Sequence, residues 1–161
     1  MPYDPSLHPK ARPTIFRGLR MRSRNEARFA AWLDTWCVWE YEPFAYRGDD
    51  GNEWLPDYRL FDVSVSWLKH PTTVFVELKH PNWFRQVSAD EWDRTLHKIA
   101  SIFDSDPTAV VILAESEAAP MLVRRGAGKP YTVAAAWVMT PDRRRLLAEI
   151  DSAEWQEWAA A

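Results

Sequence analysis

The sequence predicts an α/β fold in which a mixed β-sheet is flanked by helices. Apolar residues recur at three- and four-residue spacing over 23–36 and again over 88–103, which indicates two amphipathic helices. A continuous apolar run, Ala109–Leu113, is typical of a strand buried on both faces. Because the second helix lies between that strand and an earlier one at 73–79, we expect the two strands to be parallel.

The elements before residue 115 are predicted in the order helix, strand, strand, strand, helix, strand. Ser23 with Glu26 forms an S-x-x-E capping box at the start of the first helix, and Ser88 with Glu91 repeats the pattern at the second. Pro56 indicates an edge, a bulge or a strand start, because proline cannot donate to a sheet ladder. The three strands between the helices are predicted at 37–46, 54–67 and 73–79.

Along the second of these strands, Phe61, Val63 and Val65 are predicted to share one face, since side chains alternate along a strand. Beyond residue 115 the pattern indicates a short strand at 121–123 and a longer strand at 131–139. Pro141 is expected to open a C-terminal helical region.

Composition limits the class of protein. At 161 residues the chain is most simply one domain, and its single cysteine, Cys37, excludes an intramolecular disulfide and a multi-cysteine zinc site. This cysteine usage suits a reducing cytosol, so we expect a cytoplasmic protein. No apolar run approaches the length of a membrane span, so no membrane partner is expected.

Charge is distributed unevenly along the chain. The whole chain carries a net charge of −3, yet from Lys10 to Arg28 seven basic residues stand against one acid, Glu26. Such a segment fits a polyanion, and a solvated tail is the alternative. The sequence therefore divides into a basic, irregular arm at 1–19, a core at 20–115 and a strand-and-helix extension of the same domain at 116–161.

Acidic residues from separate elements are expected to meet near one end of the sheet. Glu77 and Lys79 project to the same face of their strand because side chains alternate. Asp57 lies on the neighbouring strand, and Glu26 lies on the helix that covers the sheet. Three carboxylates and a lysine form a site of hard oxygen ligands, of the kind that Mg²⁺ or Mn²⁺ prefers.

Two of these segments carry a family resemblance. Pro56-Asp57 followed by Glu77-Leu78-Lys79 resembles the PD-(D/E)XK motif of the restriction-endonuclease-like nuclease superfamily. The stretches 22–29, 39–43 and 55–58 are similar to small phage and mobile-element members, and the resemblance covers about residues 20–115.

The resemblance implies an αβββαβ core and a divalent-metal-dependent nuclease that hydrolyses DNA phosphodiester bonds, most simply an endonuclease. It implies that Asp57 and Glu77 ligate the metal, that Glu26 is the acid on the helix and that Lys79 is the catalytic lysine. Its alternative is a non-catalytic module of the same fold that binds DNA or protein within a phage or transposon complex. A homodimer is plausible because cutting both strands takes two sites.

The same residues admit structural interpretations. Glu26 could simply cap its helix through Ser23, and Glu40 or Glu42 could supply the third acid instead. Glu77 and Lys79 could form a surface pair, worth under about 1 kcal/mol.

Residues that could contact DNA lie in three places. Arginines of the basic segment come first, followed by a histidine beside Lys79, which also fits a loop residue, and a lysine on the second helix. Trp83 and Phe84 could stack on bases or be buried in the fold. The candidate DNA-binding residues are Arg20, Arg22, Arg24, Arg28, His80 and Lys98.

Overall fold

The computed structural model describes residues 13–65, 72–118, 120–139 and 146–149, and it is a mixed α/β structure. Within these residues, seven strands form one mixed sheet, and four more form two small hairpins. The strands are β1 (Thr14–Phe16), β2 (Leu19–Met21), β3 (Val38–Tyr41), β4 (Tyr46–Arg47), β5 (Glu53–Trp54), β6 (Tyr58–Val65), β7 (Thr72–Leu78), β8 (Val110–Ala114), β9 (Met121–Gly126), β10 (Lys129–Met139) and β11 (Leu146–Glu149). The helices are α1 (Arg24–Leu33), α2 (Trp83–Gln86), α3 (Ala89–Ala100) and α4 (Ile102–Ser105).

The predicted order of elements is present, and the strands lie in the sheet in the order β11-β10-β9-β8-β7-β6-β3. Strand β6 pairs antiparallel with β3 and β7. Strand β7 pairs parallel with β8, so the parallel connection predicted across the second helix is confirmed. None of the helices in the described ranges has the length and apolar character needed to cross a membrane.

The two faces of the sheet carry different helices. Val74 and Val76 of β7 belong to the cluster that includes Phe29 and Leu33 of α1. Phe75, between them on the strand, belongs instead to the cluster that includes the apolar residues of α3. Alternation along β7 therefore assigns α1 to one face and α3 to the other, and it places Glu77 on the same face as Phe75.

The capping pattern at α1 is confirmed in full. The Ser23 side chain accepts a hydrogen bond from the Glu26 N–H, and the Glu26 side chain accepts one from the Ser23 N–H. At α3 the Ser88 hydroxyl accepts from the Glu91 N–H. The second predicted helix is divided near Ser101 into α3 and α4.

Strand β6 begins immediately after Pro56-Asp57, so the interpretation of Pro56 as marking a strand start is the one that the structure supports. The predicted alternation is wrong at Phe61, because the ladder shifts register between Leu60 and Val63. Asp62 has a φ of +54° within this irregularity, which is typical of a bulge. Leu60 and Val63 are consequently both buried, and Phe61 is only partly buried.

Both ends of the chain differ from the sequence prediction. Strands β1 and β2 form a hairpin, so the irregular arm expected at 1–19 does not extend over its last residues, and residues 1–12 lie outside the described part. Strand β11 lies where the C-terminal helix was predicted, and it pairs with both β10 and β6. The rest of that predicted helix lies outside the described residues. Strands β9, β10 and β11 continue the main sheet.

Candidate functional site

Glu77 and Lys79 contact each other at the end of β7. Lys79 Nζ lies 2.9 Å from Glu77 Oε1, and the two side chains are only 20% and 17% exposed. The indole N–H of Trp54 donates to Glu77 Oε2 at 2.8 Å, while Lys79 Nζ lies 5.3 Å from the centre of the Trp83 ring. The pair is therefore held by its surroundings, unlike an exposed surface pair.

Asp57 is buried immediately before β6. Its Oδ2 accepts a hydrogen bond from the Leu78 N–H at 2.7 Å, and its Oδ1 accepts one from Arg22 Nη2 at 2.5 Å. Burial raises the pKa of Asp57 well above its ordinary value, and the nearby Glu77 carboxylate raises it further. These effects outweigh the Leu78 N–H and Arg22, both of which favour the ionised carboxylate of Asp57.

Glu26 is buried on α1, and its oxygens already have partners. Oε2 accepts from the Ser23 N–H at 3.1 Å and from the Tyr41 hydroxyl at 3.2 Å, while Oε1 accepts from Arg22 Nε at 3.2 Å. Burial and the Glu26 charge raise the pKa of Tyr41 to about 12, so this phenol is a hydrogen-bond donor at neutral pH. The capping interpretation of Glu26 is thus present in the structure.

Arg22 lies between the acids. Besides Asp57, its guanidinium pairs with Glu26 Oε1 at 3.1 Å and with Glu42 Oε1 at 3.3 Å. Burial tends to lower the pKa of Arg22, but Asp57 and Glu26 together raise it above its ordinary value. Arg22 was predicted to contact DNA, whereas in the structure its guanidinium pairs with three carboxylates.

The described ranges hold no group of three or more acidic, histidine or cysteine side chains placed to bind a metal ion. The charge of Glu77 acts on Asp57 and that of Glu26 acts on it less strongly, while Arg22 forms ion pairs with both Glu26 and Asp57. Of the alternative third acids, Glu42 joins through the same arginine, and Glu40 is exposed on β3.

Asn25 links α1 to the strand ends, although the sequence analysis did not single it out. Its side-chain amide donates to the carbonyl oxygens of Lys79, at 3.2 Å, and Glu115, at 2.9 Å. Trp54 was also missed as a partner of Glu77; its position three residues before Asp57 was the one available signal. No sequence pattern around Asn25 indicates its hydrogen bonds, because the residues that accept them lie 54 and 90 positions away.

The remaining predicted DNA-binding residues are exposed. Arg24 and Arg28 lie four residues apart on α1 and hence share one helix face, while His80 follows β7. Trp83 is buried and stacks on Trp92 at a ring-centre distance of 5.7 Å, which supports its structural interpretation. The exposed basic residues of the set are Arg20, Arg24, Arg28, His80 and Lys98.

Comparisons with protein-family models, curated proteins and solved structures find no match to this chain. The functional assignment therefore depends on the site itself.

The hydrogen bond between Tyr58 of β6 and the backbone of α1 allows the stability of this site to be tested. The buried Tyr58 hydroxyl donates to the Glu26 carbonyl oxygen at 2.6 Å, so Tyr58→Phe is expected to lower the free energy of unfolding by about 1 kcal/mol. Urea denaturation followed by tryptophan fluorescence measures the change, with Tyr46→Phe on the β4–β5 hairpin as control. Equal unfolding free energies for Tyr58→Phe and the unmodified protein would show that this bond does not hold α1.

Proposed function

We propose that this protein is a divalent-metal-dependent nuclease that hydrolyses DNA phosphodiester bonds and is built on a restriction-endonuclease-like αβββαβ core. The support from the fold is the sequence of elements α1, β3, β6, β7, α3, β8, with β7 and β8 parallel. This arrangement puts Pro56-Asp57 and Glu77-Leu78-Lys79 at the same end of two adjacent strands, since Asp57 N–H donates to the Val76 carbonyl.

The observation that carries the proposal is that two largely buried carboxylates, Asp57 and Glu77, lie at the same end of adjacent strands, with Lys79 Nζ 2.9 Å from Glu77 Oε1. Among the ion pairs of the described residues, Glu26, Glu42, Asp57 and Glu77 pair only with Arg22 and Lys79. When all six are ionised, the cluster therefore carries two uncompensated negative charges. A single divalent cation would balance them and would relieve the repulsion between the two carboxylates.

The donor set fits Mg²⁺ or Mn²⁺. Carboxylate oxygens are hard ligands, and Mg²⁺ commonly binds through one or two carboxylates together with water and substrate phosphate oxygens. Asp57 and Glu77 would hold the ion, and Glu26 would join them if Arg22 released it. Bound there, the ion would polarise the phosphate and lower the pKa of a coordinated water.

The protein's own contribution centres on Lys79. Its ammonium is fixed by Glu77, and it would orient the attacking water and offset the charge that builds up on the phosphoryl oxygens. In the proposed hydrolysis a bond forms between the water oxygen and phosphorus, and one phosphoester bond breaks. The attacking water loses a proton to solvent, the leaving oxygen gains one, and the products are a phosphate monoester and a hydroxyl group.

Metal binding and DNA cleavage test the proposal together. Calorimetric titration with Mn²⁺ is expected to give saturable binding, and Mg²⁺ is expected to stimulate cleavage of supercoiled plasmid or branched DNA. Glu77→Gln should weaken Mn²⁺ binding at least about tenfold, because loss of even an outer-shell partner of a metal costs 10–100-fold. Exposed Glu117→Gln is the matched control. Undetectable Mn²⁺ binding at millimolar concentration, with uncut DNA, would contradict the nuclease.

The rival function is a non-catalytic DNA- or protein-binding subunit of a phage or transposon complex. It is favoured by Arg22, which partly neutralises Asp57 and Glu26 without any metal, and by the net charge of −3. Under this alternative, the protein binds DNA in a gel-shift assay with EDTA present, takes up no Mn²⁺ and cleaves nothing. The exposed arginines Arg20, Arg24 and Arg28 would then provide the DNA contacts.

A further inference from the structure

Arg22 forms ion pairs with three carboxylates, each from a different segment of the chain. Glu26 comes from α1, Glu42 follows β3, and Asp57 precedes β6. The segments that carry the last two are tied together, because the Glu42 N–H donates to the Asp57 carbonyl oxygen at 2.8 Å. A planar guanidinium suits such a position, since its five N–H groups form a fork that several oxygens can share.

The same contacts put Arg22 in competition with a metal ion. Asp57 Oδ2 accepts from the Leu78 N–H and Oδ1 accepts from Arg22, so a cation that binds Asp57 through Oδ1 competes directly with the guanidinium. A metal ion bound there would also stand within a few ångströms of the guanidinium charge and be repelled by it. For a metal to bind, the guanidinium has to move away from Asp57.

Such a movement leaves Arg22 with partners. Its contacts with Glu26 and Glu42 do not depend on Asp57, and its side chain is 59% exposed. Two carboxylates and solvent thus remain available to the displaced guanidinium.

We propose that Arg22 is an internal counter-ion that a divalent cation displaces from Asp57, so that Arg22 stabilises the metal-free site and sets its metal affinity. This inference rests on the proposed function, because it assumes that Asp57 binds a metal. Arg22 is accordingly a positioning residue: it holds three acids in place in the metal-free protein, and it weakens metal binding by occupying one of their oxygens.

The test compares Mn²⁺ binding by the unmodified protein and Arg22→Gln in calorimetric titrations. Removing the competing charge is expected to tighten Mn²⁺ binding about tenfold, the effect of a single unit charge largely screened by water. In thermal denaturation, metal-free Arg22→Gln should melt below the unmodified protein, and Mn²⁺ should raise its melting temperature by a larger increment.

Two further variants make the comparison specific. Arg22→Lys keeps the charge but loses the fork, so its Mn²⁺ affinity should fall between those of the unmodified protein and Arg22→Gln. It also serves as the test if the glutamine variant does not fold. Arg47→Gln removes an exposed Arg–Glu pair of the β4–β5 hairpin, 2.8 Å long, and should leave the affinity unchanged.

The outcomes separate the two proposals. Equal or weaker Mn²⁺ binding by Arg22→Gln, with clear binding by the unmodified protein, would overturn the counter-ion inference and leave the nuclease proposal standing. Absence of Mn²⁺ binding in both proteins would overturn the proposed function, and the inference with it. Tighter binding by Arg22→Gln together with the larger thermal shift would support both.

Discussion

Replacing Lys79 with methionine is expected to reduce DNA cleavage at least about 100-fold, as the loss of one preorganised charge at a reacting centre commonly does. Methionine preserves most of the apolar stem of the lysine, but it removes the ammonium that pairs with Glu77 and lies over the Trp83 ring. Because a positive charge beside Glu77, a proposed metal ligand, disappears, Mn²⁺ affinity should stay the same or rise. Loss of cleavage without loss of metal assigns Lys79 to the chemical step.

Single-turnover cleavage of an end-labelled duplex at saturating Mg²⁺, with calorimetry on the same preparations, measures both quantities. Lys129→Met, at an exposed position of β10, is the matched control and should cut at the unmodified rate. If Lys79→Met cleaves within a factor of a few of the unmodified protein, Lys79 has no direct part in hydrolysis. If it loses Mn²⁺ binding as well, its role is to position Glu77.

The parts of the fold that sequence predicted are those governed by local signals. Periodicity and a capping box located α1, and a five-residue apolar run located β8. Strand β11 could not be found in this way, because its strand character comes from pairing with β10 and with Ser64–Val65 of β6, more than 80 residues earlier. The β1–β2 hairpin turns at Arg17-Gly18, both at positive φ; Gly18 suits its position, but Arg17 stands where glycine, asparagine or aspartate is usual, which weakened the turn signal.

In the candidate site, too, the features that could be predicted are those with local sequence signals. Glu77 and Lys79 could be placed on one face because alternation along a strand is a local rule, and Asp57 followed from Pro56. Glu26 is a local partner of Arg22, four residues away, but Glu42 and Asp57 could not be predicted as partners because only the folded chain brings their segments to Arg22. An arginine in a basic stretch is interpreted as a contact for phosphate. The residues around Arg22 do not indicate that Glu42 and Asp57 form ion pairs with it.

Replacing Asp57 with asparagine is expected to eliminate Mn²⁺ binding and cleavage and, at the same time, to stabilise the metal-free protein at neutral pH by about 1 kcal/mol, within the range of single stabilising substitutions. The asparagine oxygen can still accept from the Leu78 N–H, but the repulsion from Glu77 and the cost of a buried charge disappear. Arg22 loses one partner and keeps Glu26 and Glu42. A variant that gains stability and loses Mn²⁺ binding and cleavage would show that Asp57 serves metal binding at a cost in stability.

The pH dependence of unfolding separates this explanation from a simple packing effect. Because the folded pKa of Asp57 is raised, the folded state keeps a proton that the unfolded state releases near pH 4, so this group's contribution to stability falls as pH rises from about 4 towards the folded pKa. In EDTA, the stability advantage of Asp57→Asn should therefore grow over that range and then level off, and Asp93→Asn at an exposed position of α3 is the matched control. Urea unfolding across pH 4–8 measures this difference in stability.

Added Mn²⁺ should stabilise the unmodified protein and not Asp57→Asn. If Asp57→Asn is less stable than the unmodified protein at every pH, the Arg22–Asp57 pair outweighs the repulsion between Asp57 and Glu77.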